Sequence, residues 1–128
     1  MQDNTTRGHA AIQLQRAGII LFTNDYDGCV AFYRDALGLP VLGQQPDLTV
    51  FDFGGAYLMI ETPGPKSSGR RQRDQNPTVL RFDVDDVHAT AVALATRGVQ
   101  VTQRQFDWGT IGVFYDPDGN RCELKGRA

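Results

Sequence analysis

The strongest constraint on this chain is that it repeats itself. In the first half, an apolar strand candidate at residues 17–23 leads into Asn24-Asp25. Tyr26, Val30, Tyr33 and Leu37 follow, spaced four, three and four apart as one face of a helix requires. Asp25 can cap the first amides of that helix, and Gly38 can take the left-handed conformation that ends it. Short strand candidates come next at 40–44, 48–53 and 56–61, separated by the turn formers Pro46-Asp47 and Gly54-Gly55. The second half replays this order. A strand at 78–84 meets a capping Asp85, then a helix with Val87, Ala91, Leu94 and Ala95 on one face, then Gly98 as its stop. Strands at 99–104, 109–115 and 121–125 complete it, the last two joined by the turn Asp116-Pro117-Asp118-Gly119. Asp25 maps onto Asp85, Gly38 onto Gly98 and Val41 onto Val101 at an offset of 60; Gly55 maps onto Gly119 at 64. The four additional residues lie in the loop around Phe106-Asp107-Trp108-Gly109. An entire order of elements repeated in this way predicts two βαβββ modules, 17–62 and 78–125, within one domain at 17–126.

A chain of 128 residues with 41% hydrophobic and 22% charged residues is long enough and apolar enough for one packed core. Its net charge of -2 provides no general field for polyanions, which argues against nucleic acid as a partner. Residues 1–16 have no uninterrupted apolar stretch and carry polar residues along their length, so they read as a flexible tail rather than a signal peptide, and no apolar run approaches a membrane span. A cytoplasmic protein without a membrane partner is therefore expected. Cys29 and Cys122 belong to no Cys-x-x-Cys or Cys/His cluster and read as buried free thiols. The segment between the modules, 63–77, is rich in Pro, Gly and Ser. Its cations Lys66, Arg70, Arg71 and Arg73 read two ways: a flexible solvated connector, or a loop that folds over a pocket mouth to meet an anionic ligand.

Several pieces in fixed order carry a family resemblance: the strand opening into Asp25, Phe32-Tyr33-Arg34-Asp35-Ala36-Leu37-Gly38-Leu39, the helix-ending Thr96-Arg97-Gly98-Val99, and Asp116-Pro117-Asp118-Gly119-Asn120-Arg121-Cys122-Glu123-Leu124. Together they resemble the vicinal oxygen chelate superfamily of glyoxalases, bleomycin resistance proteins and extradiol dioxygenases, from about residue 17 to 125. The resemblance implies an α+β fold in which two βαβββ modules form an open, eight-stranded, barrel-like pocket, usually in a homodimer. Metal-using members place ligands near the start of the first and fifth strands and on the fourth and eighth. By the landmarks Asp25, Asp85 and 116–119, those positions fall on Gly18, Val79, Met59 and Glu123. A first-row ion needs about three protein donors, and only Glu123 is one. Neither metal nor another cofactor is expected. His9, in the tail, and His88, in a first helical turn, read as solvent-facing rather than as ligands.

Strand alternation separates the faces. Leu58 and Ile60 oppose Tyr57, Met59 and Glu61; Leu80, Phe82 and Val84 oppose Val79, Arg81 and Asp83; Cys122 and Leu124 oppose Arg121, Glu123 and Lys125. On an open sheet the charged face would simply be solvated. The resemblance makes that face the pocket wall. A carboxylate there without a cation would be costly, so Arg81 is expected to pair with Glu123 or Glu61, with Tyr57, Met59, Ile20 and Phe22 as apolar wall. Trp108 is assigned either to the pocket, to a dimer contact or to ordinary core packing. Two functions follow. The first is a metal-free small-molecule binder similar to the bleomycin-resistance branch. The alternative is a lyase, isomerase or dioxygenase-like enzyme, either metal-independent with Glu123 or Glu61 as acid/base, or metal-dependent through atypical ligands.

Overall fold

In the computed structural model, described for residues 11–66 and 69–126, the repeat becomes two four-stranded sheets of identical order. The first module contains β1 (Gly18–Phe22), helix α1 (Tyr26–Ala31) running into a π-helical turn (Phe32–Ala36), β2 (Val41–Gln45), β3 (Leu48–Phe53) and β4 (Ala56–Glu61). The second contains β5 (Leu80–Asp83), α2 (Val87–Ala95), β6 (Thr102–Phe106), β7 (Gly109–Tyr115) and β8 (Arg121–Gly126). The sheets run β1-β4-β3-β2 and β5-β8-β7-β6, each with one parallel pair at the edge reached by the helix crossover. Among the described residues no helix is long and apolar enough to cross a membrane.

One face of each sheet packs under the helices. Phe51, Leu58 and Ile60 meet Cys29, Val30 and Tyr33, while Leu80, Phe114, Cys122 and Leu124 meet Val87 and Leu94 in the same buried cluster. Each large aliphatic or aromatic side chain buried in this way contributes about 1.5–3 kcal/mol. The modules are joined through this cluster. Phe53 meets Phe82 edge-on at 5.2 Å between ring centroids, and the Tyr33 hydroxyl donates to Asp116 Oδ2 at 2.7 Å. Asp116 also accepts from Asn120 Nδ2 and from the backbone amides of Asp118 and Asn120, so the 116–119 turn is built around a satisfied buried carboxylate. Burial raises its pKa above the ordinary aspartate value, against those hydrogen bonds.

Local details depart from the sequence expectation in four places. Asp86, not Asp85, caps α2, accepting from Ala89 N at 3.0 Å, three residues after the end of β5, just as Asp25 stands three residues after the end of β1. Ala95 is exposed, because only Val87, Ala91 and Leu94 face the sheet. Val99 does not begin a strand: its amide closes onto Leu94 O at 3.0 Å and its side chain is buried, which delays β6 to Thr102. The α1 helix ends in a π turn, with Leu37 N donating to Phe32 O at 3.0 Å, and Leu37 still packs against the core but is only half-buried.

Candidate functional site

The sheet faces turned away from the helices carry the candidate residues. Ile20 pairs with Met59 and Phe22 with Glu61 across β1 and β4, while Val50 and Asp52 continue this face on β3. Nothing among the described residues covers it fully: Ile20 is 43% exposed and Phe22 53%. Gly18 sits opposite Tyr57, whose ring lies so close over it that a Cβ at position 18 would stand 2.1 Å from the nearest ring carbon. Arg16 in turn stacks on that ring at 4.9 Å, so the last residue assigned to the tail is part of the site.

The second sheet presents Arg81 beside Glu123, Val113 opposite Glu123, and Tyr115 opposite Arg121. Glu123 is buried between two arginines. Arg81 donates to Oε1 through Nε at 3.1 Å and Nη2 at 2.8 Å, and Arg121 donates Nε and Nη2 to Oε2, both at 2.9 Å. Burial works to raise the Glu123 pKa, but the two guanidiniums outweigh it and hold the group below its ordinary value. A carboxylate with both oxygens engaged and its proton affinity lowered is a poor general base at neutral pH. Alternation had already placed Arg121 on the same face as Glu123, two residues away; reading Arg81 alone overlooked it.

The candidate residues thus form two groups. Ile20, Phe22, Tyr57, Met59 and Glu61 share the first sheet, and Arg81 and Glu123 share the second. Glu61 makes no ion pair among the described residues, so Arg81 engages Glu123 and not Glu61. Trp108 is not a core residue: it is 55% exposed, stacked at 5.1 Å on Phe106, with Lys125 above it at 5.9 Å. His88 is exposed and meets Gln103, whereas His9 lies outside the described residues.

The linker is fastened more firmly than its Ser and Gly content suggests. Arg71 N donates to Gly119 O at 2.8 Å, and its guanidinium reaches Asp118 O, Asp118 Oδ2 and Pro65 O. No local pattern announces this staple, since its two ends lie 47 residues apart. Hollows border the segment, among them one of about 230 Å³ that Pro65, Arg71 and Asn76 line together with Ile20 and Phe22, and two more. One of about 690 Å³ lies on the helix side, between α1 and the loop after α2. The other, of about 270 Å³, lies beside the second sheet and includes Arg73, Val79 and Arg121.

The residues present do not suit a divalent metal. Gly18, Met59 and Val79 offer no hard donor, Glu123 is already neutralised by arginines, and no group of three His, Cys, Asp or Glu side chains gathers among the described residues.

Paired βαβββ modules with this strand order define a fold class, and the comparisons place the chain within it. The model of the glyoxalase/bleomycin resistance protein/dioxygenase superfamily matches residues 8–124, and the chain belongs to that superfamily. It is 31% identical over 119 residues to the uncharacterized protein YraH of Bacillus subtilis (strain 168), covering 83% of this chain and 93% of that one. TnmS3, an antibiotic binding protein from Streptomyces sp. CB03234, has a similar structure, with a TM-score of 0.72 and 26% identity over 94% of this chain and 100% of that one. A lactoylglutathione lyase from Agrobacterium tumefaciens shares the fold, with a TM-score of 0.68 and 22% identity over 86% and 91% of the two chains.

Proposed function

We propose that this protein binds a small organic molecule on the open faces of its sheets, holds no metal at the superfamily's usual position, and acts by sequestering its ligand. The observation that carries this reading is the clamped Glu123: two arginine side chains supply the positive charge that a cation would otherwise bring. An antibiotic-binding relative of the same fold over nearly the whole chain supports the same class of function. The exposed apolar residues Ile20 and Phe22 on one sheet, and Trp108 in the turn between β6 and β7, are suited to a ligand surface closed by a second copy of the chain. A homodimer is therefore part of the proposal, with the acidic groups Asp52 and Glu61 of one open face available to the cationic face carrying Arg81, Arg121 and Lys125.

Elemental analysis of the purified protein, followed by thermal-shift screening with aromatic drugs, thiol adducts and dicarboxylates, tests the reading. No stoichiometric first-row metal and at least one ligand that raises Tm are expected. A bound metal at one per chain would overturn it.

A further inference from the structure

We infer that the hollow between the linker and the second sheet is a subsite for an oxyanion group, carboxylate or phosphate, on the small molecule assigned to this protein; the inference rests on that proposed function. The hollow, about 270 Å³, is lined by Arg71, Arg73 and Arg121 together with Asn76, Val79 and Tyr115, and no acidic side chain lines it. Its charge is not balanced from behind. Arg71 is matched by Asp118, while Arg121 and Arg81 share the single carboxylate of Glu123. Arg73, in the lining, makes no ion pair among the described residues. Four guanidiniums, those of Arg71, Arg73 and Arg121 in the lining and of Arg81 beside Glu123, therefore stand against the carboxylates of Asp118 and Glu123, in a chain whose net charge is -2. The neighbouring Asp74 is exposed and makes no ion pair among the described residues, so it does not restore the balance.

Concentrating positive charge in an acidic protein costs self-repulsion, which a bound anion relieves. The geometry is also prepared in advance. Arg71 is tied to the 116–119 turn through backbone and side chain, and Arg121 is held by Glu123, so little ordering remains to be done on binding. Guanidinium forks present paired N–H donors that match the oxygens of carboxylate and phosphate. Val79 and Tyr115 provide an apolar margin leading from the cationic end onto the sheet face. The rest of the ligand would lie across that face.

Calorimetric titration of the full chain with inorganic phosphate and with succinate, at ionic strength fixed by sodium chloride, tests this. Saturable binding of either anion is expected, weakened roughly tenfold in Arg73→Ala and in Arg121→Ala, as loss of one charge-assisted contact implies, and unchanged in Arg34→Ala. Which of the two anions binds identifies the group. If Arg121→Ala fails to fold, Arg73→Ala carries the test, because that side chain is exposed and supports nothing else. Absence of anion binding, or equal binding by the wild type and the folded variants, overturns the subsite. If a neutral compound still raises Tm in that case, the small-molecule function stands without it; if no compound of any charge does, both fall.

Discussion

At the scale of single residues, the Glu123 clamp has a pH signature. Folding lowers the pKa of this carboxylate below its ordinary value of 4.5, so its stabilising contribution is present above that value and is lost as pH falls through the folded pKa. Glu123→Gln should cost about 1 kcal/mol at neutral pH, a figure kept small because Arg81 and Arg121 are partly solvated. The difference from wild type should vanish in acid, and urea melts across the acidic range would show convergence or its absence. Tyr33 offers a contrasting case. Tyr33→Phe removes a donor to a buried carboxylate and should lower stability by about 1.5–3 kcal/mol in the same assay. Burial pushes both Cys29 and Cys122 up to about 12, so neither should react with a thiol reagent at pH 8 until denaturant is added. Rapid labelling of either in the native protein would contradict that burial. The residue-level site was only partly legible in the sequence. Alternation placed Glu123 and Arg81 on one face, but Tyr33 with Asp116 and Arg71 with Asp118 are contacts between distant segments, and no local spacing encodes them.

At the scale of elements, periodicity and glycine placement carried most of the information. β3, β4 and β7 begin and end where the alternation places them, because each is bounded by turn residues that cannot continue a ladder. Gly38 and Gly98 both take positive φ, at 74° and 84°, where a side chain would be strained. Gly98→Ala should therefore cost about 1–2 kcal/mol even though open space surrounds the position, and chemical denaturation would measure it. The π turn and the later onset of β6 were not legible. Both arise where a tertiary demand, the burial of Tyr33 and of Val99, overrides a local preference that sequence spacing alone reports.

At the scale of the whole molecule, the sixty-residue repeat is visible in both sequence and sheet order, since equivalent strands occupy equivalent places. It does not say what meets the open faces. Phe22→Asp replaces an exposed apolar side chain at the end of β1 with a second charge beside Glu61, and it should shift sedimentation of the proposed dimer toward monomer without unfolding the chain. A wild-type protein that remains monomeric at high concentration would remove the second copy from the proposal. The Tyr57 ring seated over Gly18 bears on the history open to such a chain. A chelating side chain at 18 cannot enter until the aromatic ring swings aside, and shrinking residue 57 alone supplies no donor while it deprives Arg16 of its platform. Neither single step supplies a donor at a tolerable cost, so the arrangement acts as a ratchet: from here, a metal site at this end of the sheet requires at least two coupled replacements.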